Sequence, residues 1–152
     1  MTRPRTCRRH RQPVRRPHGP PLLYVAAESS PLHLHALRNR FLRTPNVRVQ
    51  SVDPDSPSDL NTLRDFDTIL CFNVLEYLDD PAYTLRALHG TLKPGGLLVT
   101  LVPHNPSVYG SIDCKMGHKP RFLASGMAAL LEASGYQVDK VLKFNRSGGP
   151  TW

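Results

Sequence analysis

Three polar residues stand just beyond three apolar, strand-like runs. Glu28 follows LLYVAA (22–27), Asp53 follows VRVQSV (47–52), and Asn73 follows the run from Thr68 to Phe72. A carboxylate can accept two hydrogen bonds from a vicinal diol, a second acid can accept from an exocyclic amine, and an amide can contact the ligand between them. If the runs are parallel strands of one sheet, their ends share the edge where open α/β sheets bind ligands. That set suits a nucleoside. Singly, an acid after a strand serves as readily as a turn or helix-cap residue, so the spacing of the three carries the reading. The third run leads directly into the stretch FDTILCFNVLEYLDD (66–80), where Glu76 and Tyr77 lie just past Asn73.

The elements needed to position these groups are legible. LLYVAA is a short run of buried-strand type. Ser30 and Pro31 then supply a cap and a first-turn proline, and Leu34, Leu37, Phe41 and Leu42 recur at helical spacing. Thr44-Pro45-Asn46 stops that helix. VRVQSV alternates and is β-branched, a strand pattern. A Pro/Ser/Asp-rich loop and a short helical turn around Leu60 to Leu63 precede the Thr68–Phe72 strand, which reads as fully buried. Pro81 opens a helix with Leu85, Leu88 and Leu92 on one face, ended by LKPGG. LLVTLV (97–102) is a strand closed by Pro103. The loop 103–121 carries His104, Tyr109, Asp113, His118 and Arg121. A helix with Leu123, Met127, Leu130 and Leu131 stops at Gly135, and YQVDKVLKF (136–144) alternates as a final strand. Such β-α alternation implies a doubly wound parallel sheet with helices on both faces.

The charge is unevenly placed. The chain has 152 residues and a net charge of +8. Residues 1–21 hold seven arginines, five prolines and no acid; the remaining residues balance 13 Lys and Arg against 12 acids. The expected organisation is therefore a disordered Arg/Pro-rich tail, 1–21, ahead of a domain spanning 22–152. A solvated extension, nonspecific contact with phosphate backbones and a transit peptide are the readings open to that tail. The prolines break any amphipathic helix, and no aromatic residue is present for base stacking. No stretch reaches the ~20 apolar residues of a membrane span, and a cytoplasmic location is expected. Cys7, Cys71 and Cys114 are odd in number and without a close pair, which argues against a disulfide framework. Cys114 and His118 alone make a weak metal signal, and no metal is expected.

Taken together, E-S-S-P, V-D-P, FDTILCFNVLEYL and LKPGGLLVTLVP, in that order, resemble the class I S-adenosylmethionine-dependent methyltransferases, over residues 22 to about 146. The later YGSIDCKMGHKPRF resembles a loop from a small-molecule branch of that family. The resemblance implies a Rossmann-like fold, S-adenosylmethionine as cofactor and methyl transfer to a small-molecule acceptor. It assigns Glu28 to the ribose hydroxyls, Asp53 with Pro54 to the adenine side, and Asn73 and Val74 to the strand end lining the cofactor. Glu76, Tyr77, Tyr109, His118 and Arg121 would face the acceptor; which residue is catalytic stays open. Tyr77 departs from the pattern, since the family often has Glu-His there, and a phenol does not replace imidazole as a base near neutral pH. Pro120 stands where a basic residue is expected.

The family opens with a strand and a glycine-rich turn of the form acid-x-G-x-G-x-G, and neither is evident upstream of Leu22. That strand lies at the centre of the family's sheet, between those carrying Glu28 and Asn73. PVRRPHGPP cannot replace it, because proline is excluded from central strands. The sheet is thus expected to be incomplete, the N-terminus altered or truncated, and the activity impaired. A noncatalytic module whose exposed strands pair with a partner chain is a second reading, and a nucleic-acid binder acting through its basic tail a third.

Overall fold

The computed structural model describes residues 22–143. The tail assigned to 1–21 and the end from Asn145 to Trp152 lie outside those residues. Within them the chain alternates in the expected order: β1 (Tyr24–Glu28), α1 (Pro31–Phe41), β2 (Val47–Ser51), α2 (Pro57–Leu60), β3 (Phe66–Phe72), α3 (Pro81–Thr91), β4 (Leu92–Leu101), α4 (Ser111–Lys115) and α5 (Ala124–Ala133). A 3-10 turn, Pro106–Val108, precedes α4.

Local chemistry explains the element ends. Pro31 opens α1 at the position where its missing N–H costs nothing. The Ser30 hydroxyl makes no capping bond; instead its amide donates to Glu28 Oε1 at 2.9 Å. Asp80 caps α3 by accepting from the Tyr83 amide at 2.9 Å. Leu92 pairs opposite Phe66, so the strand starts at once after α3, and the ladder slips over Lys93–Gly96 before Leu97 meets Thr68. Gly95 takes φ +75° there, and a Cβ on Gly96 would lie 2.9 Å from the Lys93 carbonyl oxygen, so neither position accommodates a side chain without backbone movement.

The strands form two parallel pairs, β1 with β2 and β3 with β4. No strand joins β1 to β3 among the described residues, so the sheet is interrupted where the family's central strand was expected. The core lies under one face of β3–β4, where Val52, Leu60, Leu63, Cys71, Leu75, Leu78, Leu85, Leu88 and Met127 cluster. α3 and α5 pack against each other there, and Tyr136 donates to the Leu85 carbonyl at 2.9 Å.

Three expectations need correction. The Thr68–Phe72 run is not fully buried: Leu70 is 63% exposed and Phe72 46%. They share a face with their partners Val99 and Leu101, and with Leu97, all exposed. Nothing among the described residues covers that face, which is why an apolar run was a poor guide to burial. The short helix near Leu60–Leu63 lies earlier, at Pro57–Leu60, and ends in a turn at 61–62. YQVDKVLKF forms no strand through residue 143. The free edge of β4 instead borders an open cleft of about 900 Å³ whose far wall is residues 136–143. Alternation supplies a face but not a hydrogen-bonding neighbour, and none of the described strands pairs with this segment.

Candidate functional site

At the C-terminal ends of β1 and β2 the chain presents Glu28 and, two residues beyond Ser51, Asp53. Parallel pairing sets Glu28 opposite Ser51, and the Val52 amide donates to the Glu28 carbonyl at 3.2 Å. The Glu28 carboxylate is partly exposed; Oε1 takes the Ser30 amide and Oε2 lies 3.8 Å from His33 Nδ1. A hollow of about 450 Å³ beside it is lined by Glu28, His33, Ala36, Leu37 and Arg40. Asp53 is exposed; its Oδ1 accepts from the Asp55 amide and its own amide donates to Asp59. The Pro54 carbonyl accepts from the buried Thr84 hydroxyl at 3.0 Å, tying the end of β2 to the first turn of α3.

Asn73 ends β3 with φ +52°, a left-handed conformation that a short amide side chain tolerates. Its amide donates to the Leu101 carbonyl at 2.9 Å, and its side chain is exposed. Val74, half-buried, packs against the core. The adenosyl group fits what is present at this edge. Each of the two acids gives only one oxygen to a local backbone amide, so lone pairs remain for a diol and an amine. No glycine-rich turn precedes β1 among the described residues, so the fit extends to the nucleoside end alone.

The second part of the site is built by the excursion 103–122. Its base is closed at the end of β4, where the Asn105 amide donates to the Phe122 carbonyl and the Phe122 amide to that of Pro103. Because β4 lies beside β3, the excursion rises next to the turn after Asn73, and the Lys119 amide donates to the Glu76 carbonyl at 2.7 Å. Asp113, 3% exposed, is its hub. Its Oδ1 accepts from Arg121 Nε at 3.0 Å and lies 3.3 Å from His118 Nδ1, while Oδ2 accepts from Arg121 at 3.0 Å and from the Gly110 amide at 2.9 Å. The Arg121 guanidinium, followed by the Gly110 amide and His118, holds the Asp113 carboxyl down at about 2, against the lesser opposing effect of burial.

His118 in turn meets Tyr77: Nε2 lies 2.8 Å from the phenol oxygen, and the rings stand edge to face. Tyr109 donates to the His118 carbonyl at 2.9 Å, and the Cys114 thiol lies 3.5 Å from the Tyr109 oxygen. Lys119 pairs with Asp79 and lowers its carboxyl. Glu76 is 1% exposed, and its Oε2 has no hydrogen-bond partner among the described residues. Burial raises its carboxyl, while its own backbone amide and His118 oppose the rise.

The structure therefore brings Glu76, Tyr77, Tyr109, His118 and Arg121 into one cluster, and sets Glu28, Asp53 with Pro54, and Asn73 with Val74 at or just past the ends of β1, β2 and β3. Asp113 was counted among the loop's polar residues but given no role. The signal was available: it is the sole acid between Pro103 and Arg121, among His104, Lys115, His118, Lys119 and Arg121.

The comparisons with known proteins agree with this architecture. A family model described as "Methyltransferase domain" matches residues 10–98, more than half of the chain. The chain belongs to that family. Among curated relatives, the ubiquinone biosynthesis O-methyltransferase of Xanthomonas euvesicatoria is 28% identical over 109 residues, covering 63% of this chain and 44% of the relative. That of Pseudomonas aeruginosa is 40% identical over 45 residues, covering 29% of this chain and 19% of the relative. The chain thus spans less than half the length of these relatives. Among solved structures, the CMeT domain of the citrinin polyketide synthase has a TM-score of 0.70 at 21% identity, covering 86% of this chain and 37% of that one. An S-adenosylmethionine-dependent methyltransferase from Mesorhizobium loti has 0.62 at 17% identity, covering 78% and 65%. These likenesses establish the Rossmann-like α/β fold. No helix among the described residues is long and apolar enough to cross a membrane.

Proposed function

We propose that this chain is the cofactor- and acceptor-bearing part of an S-adenosylmethionine-dependent methyltransferase that acts on a hydroxyl of a small molecule. The observation that supports the reading is that polar groups gather at the C-terminal ends of each parallel strand pair. Glu28 and Asp53 offer carboxylate lone pairs at neighbouring strand ends, and the Tyr77–His118–Asp113 cluster stands on the turn and excursion beyond β3 and β4. When bound, the sulfonium supplies an already activated methyl group, so the protein mainly needs to place the two partners, exclude water and manage a proton. Glu28 would hold the ribose, Asp53 and Pro54 the adenine side, and Asn73 and Val74 the ground between. Oxygen as the accepting atom is favoured by the curated relatives, which are ubiquinone biosynthesis O-methyltransferases.

Calorimetric titration with S-adenosylhomocysteine tests this. Micromolar binding by the chain, lost in Asp53→Ala, is the expected result. A chain that circular dichroism shows to be folded, yet that binds neither S-adenosylhomocysteine nor S-adenosylmethionine, would overturn it.

A second reading is favoured by the interrupted sheet. Among the described residues β1 and β3 each pair on one edge only, and nothing covers the apolar face of Leu70, Phe72, Leu97, Val99 and Leu101. On this reading a partner chain supplies the strand between the two pairs. Sedimentation of the chain as a monomer that binds cofactor would dismiss it.

A further inference from the structure

The 103–122 excursion and the turn after β3 assemble three side chains graded in exposure. Tyr77 is 41% exposed, while the side chains of His118 and Asp113 are 10% and 4% exposed. A ligand arriving from solvent can therefore touch Tyr77 directly, whereas His118 and Asp113 are largely covered. Asp113, held ionised by the bidentate Arg121, is an acceptor only. A neutral His118 ring must then carry its proton on Nδ1, facing Asp113, which leaves Nε2 as an acceptor. The Tyr77 hydroxyl accordingly donates to Nε2 across 2.8 Å.

We propose that Tyr77, His118 and Asp113 form a proton relay that ionises a phenolic hydroxyl of the acceptor. The acceptor's O–H gives its proton to the Tyr77 oxygen as the Tyr77 proton passes to His118 Nε2. The products are an acceptor oxyanion, an intact Tyr77 phenol and an imidazolium, so every proton is accounted for. Tyr77 is the catalytic residue, since it alone touches the acceptor; His118 stores the proton, and Asp113 positions the ring and stabilises its charge. The other groups around the ring fit this task. Glu76 adds a carboxyl with an unmatched oxygen near His118, and Arg121 is occupied by Asp113. Lys119 is engaged by Asp79, and Tyr109 pins the His118 carbonyl, with Cys114 behind it. No unpaired cation faces Nε2 among the described residues. A phenolic acceptor is specified because Tyr77 ends unchanged, so the net transfer is from acceptor to imidazole, and among hydroxyls a phenol is acidic enough to make it. This inference rests on the hydroxyl-acceptor reading above.

The experiment needs no S-adenosyl ligand. 4-Nitrocatechol, whose ionisation is visible by absorbance, is titrated with pH in the presence of the full chain, with its binding followed separately by saturation-transfer NMR. The bound probe should ionise at a pH lower by about 1 unit than the free probe, and Tyr77→Phe and His118→Gln should return it to the free value. In parallel, ¹⁵N shifts of labelled histidine should show the His118 proton on Nδ1 in the native chain, and loss of that preference in Asp113→Asn. Tyr77→Phe removes one exposed hydroxyl and keeps the ring, and amide spectra confirm that the variants stay folded. The relay is overturned if 4-nitrocatechol fails to bind at millimolar concentration, if it binds with unchanged ionisation, or if its lowered ionisation survives Tyr77→Phe. Such a failure with adenosyl binding intact removes the relay alone. A relay that works in a chain without adenosyl binding removes the methyl-transfer reading alone.

Discussion

Tyr77 and His118 lie 41 residues apart in sequence, yet the phenol oxygen sits 2.8 Å from Nε2 and the ring centroids are 4.7 Å apart. The pairing changes what Tyr77 means. Where the family pattern has imidazole, the chain carries a phenol that is too weak a base by itself. The excursion after β4 brings an imidazole to the same spot from the other side. β3 and β4 are parallel neighbours, so the segments that leave their C-terminal ends emerge side by side. The distance in sequence is no distance in the fold.

Asp113→Asn should loosen the excursion without unfolding the domain. The substitution removes one anionic acceptor shared by Arg121, His118 and the Gly110 amide. Limited proteolysis should then cut within 103–122 at a protease concentration that spares the native chain. The pH dependence has a definite sign. The Asp113 carboxyl falls from 3.8 to about 2 on folding, so its stabilisation is fully present above pH ~4 and is lost as pH drops through 2. Native protein should gain cleavage across that acid window, with an acid-stable protease such as pepsin as the probe, while Asp113→Asn is already cut at every pH.

Glu76→Gln should stabilise the chain at neutral pH while leaving it unchanged in acid. Burial raises the Glu76 carboxyl above 4.5, and Oε2 has no partner among the described residues. In the window between the unfolded and the raised value, the native state holds the proton that the unfolded state has lost. Stability therefore falls as pH rises through that window. Urea denaturation at pH 4 and pH 7 measures it: the variants should coincide at pH 4 and part by on the order of 1 kcal/mol at pH 7. Coincidence at both would mean that a group outside the described residues satisfies Oε2.

Most of the fold was legible because periodicity and punctuation agreed. Pro31, Pro81 and Gly135 mark helix ends, and the β-type runs 22–27, 47–52, 68–72 and 97–102 fall on the four strands. What was not legible depends on neighbours the pattern does not encode. Leu70 reads as core and is exposed because nothing described covers its face, and 136–143 alternates without a strand to pair with. In the site, strand ends identified Glu28, Asp53 and Asn73 by position. Asp113 escaped assignment because its importance lies in four hydrogen bonds made across a loop, and sequence spacing carries no such count.

The two described cysteines should differ sharply toward alkylation. Cys71 is buried on the core face of β3, and burial, aided by Glu76, pushes its thiol up to about 11. At pH 8 only ~0.1% of such a thiol is the reactive thiolate. Cys114 is exposed on α4. Iodoacetamide at pH 8, followed by peptide mass mapping, should label Cys114 within minutes and Cys71 only after denaturant is added. Labelling of Cys71 in the native chain would mean that the β3 core opens readily.

Thr84→Val tests the link between the two strand pairs. The Thr84 hydroxyl donates to the Pro54 carbonyl from a position 1% exposed, and valine keeps the shape but not the hydroxyl. Stability should fall by about 1 kcal/mol, the cost of a lost hydrogen bond to a half-buried carbonyl. The loop carrying Asp53 would also lose its tether to α3. Titration with S-adenosylhomocysteine should show weaker binding than native protein even where the variant is fully folded. Unchanged affinity would detach the Asp53–Pro54 loop from the cofactor side of the site.

Leu85→Ala and Leu70→Ala make the sharpest comparison, because the residue type is the same and the surroundings are opposite. Leu85 is fully buried between α3 and the core, whereas Leu70 is 63% exposed on the open face of β3. Truncating Leu85 leaves a cavity in a packed interior and should cost about 2–5 kcal/mol by urea denaturation. Truncating Leu70 should stay within about 0.5 kcal/mol. If Leu70→Ala instead costs as much as Leu85→Ala, and the cost grows with protein concentration, the open face is covered in solution by another chain. A large cost independent of concentration would place a segment of this same chain over it.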